Sequence, residues 1–294
     1  MRRPEDIQEL GPALAGRRRD AIVVGDALTV LAMVPDDTFA SCVTSPPYWG
    51  LRDYGDQGQI GAESSLDEYI EKLVRVFREV RRTLRSEGTL WLNLGDSYTS
   101  GGRKWRDSDR KNPARAMDYR PPTPCGLKPK DLIGVPWRVA FALQSDGWYL
   151  RADNIWYKPN CQPESVKDRP TRSHEYLFLF SKSAKYYYDA TAVMESCNGN
   201  GKKRNRRSVW MVNTEAFPEA HFATFPPALI EPCIAASTRQ DELVLDPFLG
   251  SGTVGLVCRA MLRRFVGIEL KPEYAKMAAR RVGRTGLLWS ADSQ

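Results

Sequence analysis

The chain alternates short apolar runs with segments in which apolar residues recur every three or four positions. Residues 21–25 and 39–44 are apolar runs of the length that forms buried strands. Over residues 66–84 the apolar positions repeat at i, i+3 and i+4, and a capping box begins just before them at Ser65. This pattern predicts an amphipathic helix that ends before Gly88.

The same alternation continues through the rest of the chain. Further strands are predicted over residues 89–94, 148–156, 176–180, 186–188, 243–245 and 264–268, and further helices over residues 137–144, 227–236, 253–261 and 272–282. Strands that alternate with helices predict an α/β fold with a mostly parallel sheet. No apolar run approaches the roughly 18 residues of a membrane span, and the charged N-terminus is unlike a signal peptide. We therefore expect a cytoplasmic protein without membrane contact.

Positive charge is concentrated in two stretches. The 43 Lys and Arg residues exceed the 36 Asp and Glu residues, for a net charge of +7. Residues 101–131 hold nine cations against four aspartates, and residues 197–210 hold five cations and no acid. Both stretches are rich in Gly, Pro, Asn and Ser and lack periodicity, which predicts loops. Either they are solvated loops, or the cations and their neighbours Trp105, Tyr119 and Trp210 contact phosphates and bases. We favour nucleic-acid contact, with the candidates Arg103, Lys104, Arg106, Lys202, Lys203, Arg204, Arg206 and Arg207.

A glycine-rich turn lies between a predicted strand and a predicted helix. Asp246 ends the strand, the pattern G-x-G-x-x-G covers residues 250–255, and Glu269 follows Gly250 by 19 positions. This spacing matches the dinucleotide fingerprint, but it does not separate NAD from S-adenosylmethionine. A carboxylate at the strand end would repel a pyrophosphate and attract a sulfonium and an ammonium. The turn therefore favours S-adenosylmethionine, with a plain helix-capping turn as the alternative.

A second motif, Thr44-Ser-Pro-Pro-Tyr48, follows the strand at residues 39–44. Two consecutive prolines make a stiff turn that offers carbonyl oxygens without N–H donors. If the carbonyls of Ser45 and Pro46 accept both hydrogens of an exocyclic amine, its lone pair is free to attack a methyl sulfonium. Tyr48 offers a ring on which a base can stack. In isolation, the motif could equally be a simple loop terminator.

Cysteine and histidine chemistry is not indicated. The six cysteines form no C-x-x-C pair and there are two histidines, so we expect neither a metal site nor disulfides. A thiolate attack on cytosine C5 is rejected, because Cys125 lies in a basic stretch and Cys233 in a predicted helix. His174 either lines the pocket for the base that would stack on Tyr48 or is a hydrogen-bonded structural residue. Neither histidine has an obvious Ser or Asp partner for a catalytic triad.

In combination, these motifs resemble the bacterial amino-group DNA methyltransferases in which the catalytic motif precedes the cofactor motif. TSPPY at 44–48 resembles the catalytic motif, and DPFLGSGT at 246–253 resembles the methionine-site motif. Further matches are GDAL at 25–28, LNLGDSY at 92–98, IWYKPN at 155–160, RSHEYLFLFSKS at 172–183, HFATFP at 221–226 and VGIEL at 266–270. The resemblance implies a Rossmann-like S-adenosylmethionine-dependent methyltransferase fold with permuted motif order and helices on both sheet faces.

The resemblance also assigns site residues. The catalytic residues would be Ser45, Pro46, Pro47 and Tyr48. The cofactor contacts would be Asp26, His221, Phe222, Asp246, Pro247, Phe248, Gly250, Ser251, Gly252, Thr253 and Glu269, with His221 either beside the cofactor or structural. The chain would form one domain over residues 1–294, with a DNA-contacting insert at about 97–132 and a target-recognition insert at about 190–212.

The expected reaction is methyl transfer from S-adenosylmethionine to N4 of a cytosine flipped out of double-stranded DNA. Position 45 favours cytosine, because adenine-specific members of the family more often carry an acidic residue or asparagine there. Adenine N6 is the close alternative, and an inactive DNA-binding regulator or an NAD oxidoreductase is a rival of another class. The resemblance further implies a restriction-modification role. The sequence leaves open whether the protein is a monomer or homodimer, and whether a cognate endonuclease acts at the same site without direct contact.

Overall fold

A computed structural model describes residues 10–51, 58–99, 121–197, 202–215 and 225–288. Its strands are β1 (Asp20–Val24), β2 (Phe39–Thr44), β3 (Leu84–Leu94), β4 (Tyr149–Tyr157), β5 (His174–Ser181), β6 (Glu195–Ser196), β7 (Lys203–Arg204), β8 (Val209–Met211), β9 (Leu243–Asp246) and β10 (Arg264–Glu269). Its α-helices are α1 (Leu10–Leu14), α2 (Ala27–Leu31), α3 (Leu66–Thr83), α4 (Val135–Ser145), α5 (Pro227–Ser237), α6 (Thr253–Ala260) and α7 (Pro272–Leu288).

Eight strands form the main sheet, in the order β1-β10-β9-β2-β3-β5-β4-β8. The first five strands are parallel, β5 is antiparallel to both β3 and β4, and β8 is parallel to β4. The prediction of a mostly parallel sheet is therefore confirmed. Because β5 runs against its neighbours, its amino end lies at the same edge as the carboxyl ends of the other strands.

The strand order reverses between β9 and β2. Strand β2 leads through α3 to β3 on one side, whereas β9 leads through α6 to β10 on the other. The two strands pair directly, with Ser41 opposite Val244 and Cys42 opposite Leu245. Such a switch point leaves a crevice at the carboxyl ends of the strands, where ligands of open α/β sheets bind.

Helices cover both faces of the sheet. Buried side chains of α2, α3 and α4 form the core on one face, and those of α5, α6 and α7 form the core on the other. The predicted capping box at α3 is present, since Ser65 Oγ accepts a hydrogen bond from the Glu68 N–H at 3.2 Å. The helix ends at Thr83, and β3 begins five residues earlier than predicted because Leu84 is extended and pairs with Phe39.

Two predicted elements are wrong. Residues 186–188 form no strand; the Tyr187 ring lies under the guanidinium of Arg239, 3.9 Å away. The basic stretch at 197–210 ends in β8 rather than in a loop. Its Trp210 is buried against Trp91, with ring centroids 5.9 Å apart, so it packs in the core and does not contact bases.

No helix in the described ranges is long and apolar enough to cross a membrane. Within the same ranges, no cluster of three or more His, Cys, Asp or Glu side chains could hold a metal ion.

Candidate active site

The end of β9 places a buried carboxylate at the crevice. Asp246 is 1% exposed. One of its oxygens, Oδ1, accepts hydrogen bonds from the Thr44 hydroxyl at 2.7 Å and from the Phe248 N–H at 3.1 Å. Burial raises the pKa of Asp246 to about 7, and the two hydrogen bonds oppose that rise. A cationic group bound nearby would stabilise the ionised form.

The glycines that follow Asp246 allow close packing. Gly250 and Gly252 have φ angles of 52° and 82°, in the left-handed region that favours glycine. A Cβ at Gly252 would lie 2.9 Å from Ala278 Cβ in α7. A Cβ at Gly255 would lie 2.6 Å from the Phe265 ring in β10. The fingerprint therefore brings α6 against α7 and the sheet.

An arginine that the sequence did not single out fixes the same loop. Arg281 in α7 donates from Nη1 to Ser251 Oγ at 2.8 Å and to Thr253 Oγ1 at 2.9 Å. Both hydroxyl-bearing side chains are buried. In this arrangement they hold the loop in shape, while Pro247 and Phe248 precede it at the crevice.

The next two strand ends supply the other predicted acids. Glu269, at the end of β10, accepts hydrogen bonds from the N–H groups of Gly250 at 2.8 Å and Lys271 at 2.9 Å. Burial raises the pKa of Glu269, and these bonds oppose the rise. Asp26 follows β1 and caps α2 through the Thr29 N–H at 3.0 Å. The structure thus brings Asp246, Glu269 and Asp26 to three neighbouring strand ends.

On the other side of the crevice, β2 ends in the proline turn. Thr44 is the last residue of the strand, so its bond to Asp246 joins the proline turn to the glycine loop. The Tyr69 hydroxyl of α3 donates to the Pro47 carbonyl at 2.9 Å. This contact anchors the turn to the core. Along the chain, Ser45 and Pro46 therefore lie between two fixed points, the Thr44 side chain and the Pro47 carbonyl.

Tyr48 contacts three polar side chains through its hydroxyl. The hydroxyl donates to Glu175 Oε2 at 2.8 Å and lies 3.3 Å from Asn93 Oδ1 and 3.5 Å from Ser45 Oγ. Glu175 forms an ion pair with Lys158. Burial and the charge of Glu175 raise the pKa of Tyr48 well above its ordinary value, so the phenol keeps its proton.

Asn93, Lys158 and Glu175 were not predicted individually, although each lies in a segment that resembles a pocket-flanking strand. Their convergence follows from the register of β3, β5 and β4, in which Leu94 and Ile155 both lie opposite Tyr176. His174 packs its ring edge-on against Tyr176, with centroids 5.5 Å apart. Burial and the nearby cations Arg172 and Lys158 lower the pKa of His174.

Three arginines of the second basic insert contact other side chains of the same insert. Arg204 and Arg207 share the carboxylate of Glu195, at 2.8 Å and 2.7 Å. The guanidinium of Arg206 lies 4.5 Å from the centroid of the Trp210 ring. Lys202 and Lys203 are exposed. The remaining predicted contacts, Arg103, Lys104, Arg106, His221 and Phe222, lie outside the described residues.

Together, the sheet order, the glycine loop with its buried acid and the adjoining proline turn define a methyltransferase of the Rossmann-like α/β class. The profile of the DNA methylase family of N6 and N4 methyltransferases matches residues 39–280. The chain belongs to this family and is a DNA methyltransferase with permuted motif order.

Two enzymes show the closeness of the relationship. The Type II methyltransferase M.SmaI of Serratia marcescens is 62% identical over 264 residues, which is 90% of each chain. M.Cfr9I of Citrobacter freundii is 62% identical over 258 residues, covering 88% of this chain and 86% of the relative.

Solved structures confirm the predicted fold. The PvuII DNA methyltransferase, described as cytosine-N4-specific, superposes with a TM-score of 0.68 at 21% identity, covering 93% of this chain and 92% of that one. A putative DNA modification methylase of Thermus thermophilus, complexed with S-adenosyl-L-methionine, gives a TM-score of 0.62 at 24% identity, covering 90% of this chain and 93% of that one.

Proposed function

We propose that the protein transfers a methyl group from S-adenosylmethionine to the exocyclic N4 of cytosine in double-stranded DNA. The observation that carries this proposal is the hydrogen bond between Thr44 and Asp246. This bond joins the proline turn, which we assign as the acceptor for an amine, to the acid that we assign to a cationic methyl donor. A methyltransferase needs these two groups side by side, because the amine must attack the methyl carbon in line.

The residues at the three strand ends fit this donor. Asp246 is a buried carboxylate for which the described residues supply no cation partner, and the ammonium of the methionine moiety would provide one. Each Glu269 oxygen accepts one backbone N–H and keeps a further lone pair for a ribose hydroxyl. Asp26 lies beside Glu269 and is assigned to the adenine ring. When bound, the donor supplies an electrophilic methyl group on a sulfonium.

The proline turn fits an exocyclic amine. The Pro47 carbonyl is engaged by Tyr69, so we assign the carbonyls of Ser45 and Pro46 to the amine of the target base. Two acceptors that bind both hydrogens reduce the conjugation of the nitrogen lone pair with the ring and leave it free to attack, after which the nitrogen loses one proton. The base reaches this turn only after it is flipped out of the duplex, at a cost of a few kcal/mol that stacking on Tyr48 offsets.

The choice of cytosine over adenine rests on Ser45. A serine hydroxyl is small and can donate to cytosine N3 or accept from the amine. The cytosine-N4-specific description of the PvuII enzyme, which has the same fold, agrees with this assignment. Mass spectrometry of nucleosides from DNA treated with the pure protein tests it. We expect N4-methylcytosine. If N6-methyladenine forms instead, the cytosine assignment is wrong and the amine mechanism stands. If 5-methylcytosine forms, both are wrong.

The second insert, at about 190–212, is assigned to target recognition, and Lys202, Lys203, Arg204, Arg206 and Arg207 to DNA contact. Arg204→Ala/Arg207→Ala should weaken DNA binding, and each lost phosphate contact should reduce the salt slope by about 0.9. The control Arg75→Ala/Lys276→Ala removes the same charge from exposed positions of α3 and α7. If the salt dependence of DNA affinity has the same slope in the two variants, the insert is only a solvated loop.

The Type II methyltransferases among the relatives support a restriction-modification role. Methylation-sensitive sequencing of DNA from cells that express the protein would reveal its recognition site. Methylation confined to one short sequence is expected. Scattered methylation would contradict a protective role beside an endonuclease of the same specificity.

A further inference from the structure

The Tyr48 ring is fixed at its hydroxyl by a pair of charged residues for which the methyl-transfer chemistry has no direct use. We propose that Glu175, held in place by Lys158, is a positioning residue that orients the Tyr48 ring for stacking on the flipped base. This inference rests on the proposed function. It adds Glu175 and Lys158 to the residues that position the flipped base.

Three elements contribute to the arrangement. Tyr48 follows β2, Glu175 is the second residue of β5, and Lys158 directly follows β4, so residues far apart in the sequence meet at one edge of the sheet. The Tyr48 hydroxyl donates to Glu175 Oε2 at 2.8 Å, and Lys158 Nζ pairs with the other oxygen, Oε1. Both charged side chains are only 16% exposed. A hydrogen bond to a charged acceptor in such a site is stronger than a neutral one.

The backbone at Gly95 limits the space beside the hydroxyl end of the ring and beside Glu175. A Cβ at Gly95 would lie 2.6 Å from Tyr48 Cε2 and 3.3 Å from the carboxyl carbon of Glu175. Gly95 is not among the glycines with positive φ, so space rather than backbone conformation requires glycine here. The chain at Gly95 therefore leaves neither the Tyr48 ring nor the Glu175 carboxylate room to shift toward it.

The role of Lys158 follows from charge. An unpaired carboxylate beside the pocket would repel the phosphates of an incoming strand and would be costly to bury. With Lys158 on its other oxygen, Glu175 is a hydrogen-bond acceptor within a neutral pair. Tyr48 keeps its proton, and its hydroxyl donates a hydrogen bond to that acceptor. The ring therefore has a single preferred orientation.

The test is a double-mutant cycle on single-turnover methyl transfer with labelled S-adenosylmethionine and plasmid DNA. Tyr48→Phe removes the hydroxyl, Glu175→Ala removes the acceptor, and the double variant removes both. We expect each single variant to be slower by about 10-fold, the loss of one charge-assisted hydrogen bond. The double variant should be no slower than the slower single variant, because both changes remove the same interaction.

Two further readouts separate positioning from stability. Glu175→Gln keeps an acceptor for Tyr48 and should retain most of the wild-type rate. DNA affinity should change little in Tyr48→Phe, Glu175→Ala and the double variant while the single-turnover rate falls, because the stack forms only with the flipped base. As a control with a carboxylate of similar burial, Glu242→Ala breaks the ion pair with Arg85, in which Glu242 is 14% exposed, and should lower thermal stability without slowing methyl transfer.

Multiplicative losses in the double variant would overturn the proposal, because Glu175 would then act independently of the Tyr48 hydroxyl. A Glu175→Gln rate as low as that of Glu175→Ala would overturn it as well. Failure of the proposed function is separate: it would appear as a wild-type protein that methylates no DNA.

Discussion

The Thr44→Val variant tests whether the proline turn and the glycine loop act as one unit. Valine keeps nearly the shape of threonine and removes only the hydroxyl that donates to Asp246 at 2.7 Å. The bond stabilises the carboxylate, and it opposes the burial that raises the pKa of Asp246 to about 7. Its removal should therefore raise that pKa further.

The magnitude follows from the strength of the bond. A hydrogen bond to a charged group contributes about 1.5–3 kcal/mol, and about 1.4 kcal/mol corresponds to one pKa unit. With a pKa moved from about 7 to roughly 8, the ionised fraction of Asp246 falls about 3-fold at pH 7.5 and about 9-fold at pH 6. Affinity for a cationic donor should fall in the same proportions.

Calorimetric titration with S-adenosylmethionine at these two pH values measures the effect. Both lie below the ordinary pKa of an α-amino group, roughly 7.7–8.0, so more than half of the ligand carries the ammonium charge at pH 7.5 and nearly all of it does at pH 6. Thr44→Ser keeps the hydroxyl and should follow the wild type. A Thr44→Val deficit of the same size at both pH values would refute the argument, and so would wild-type affinity that does not weaken between pH 7.5 and pH 6.

Two stability predictions follow from the same region. Asp246→Asn should raise the thermal midpoint of the ligand-free protein at pH 8, with the gain shrinking toward pH 4. The folded-state pKa is raised from 3.8 to about 7, so wild-type stability falls as pH rises through that window, and asparagine does not titrate; an unchanged midpoint at pH 8 would contradict this. Gly255→Ala should cost about 1–3 kcal/mol of unfolding free energy because its Cβ meets the Phe265 ring at 2.6 Å. In denaturant titrations the matched variant Gly283→Ala, which meets nothing within 4 Å, should gain up to roughly 1 kcal/mol, and equal shifts would disprove the packing role.

The parallel half of the fold could be predicted from the sequence because its signals are local. A strand that ends in Asp246 and continues into G-x-G-x-x-G specifies a strand, a tight turn and a helix within about 15 residues. The strand before the proline turn is equally self-contained. The carboxyl ends of parallel strands share one edge, so these local predictions also bring the main site residues together.

The antiparallel half could not be predicted in the same way. The direction of β5 is not encoded in its own apolar pattern, and it decides whether Glu175 or Ser181 lies at the site edge. The contact between Tyr48 and Glu175 joins residues 127 positions apart. Trp210 was misassigned for a related reason: its cationic neighbours indicate a loop, whereas its burial against Trp91 depends on pairing between β8 and β4.

That buried tryptophan also bears on how new specificities arise. Its indole N–H donates to the Arg207 carbonyl at 2.7 Å, and β8 continues the main sheet beside β4. The insert that we propose for target recognition therefore rejoins the main sheet at a fixed point, β8. A segment from a relative could be grafted in without redesigning the catalytic core, provided that it keeps this tryptophan and strand. Under the proposed assignment, this anchor allows sequence preference to change while the catalytic core stays the same.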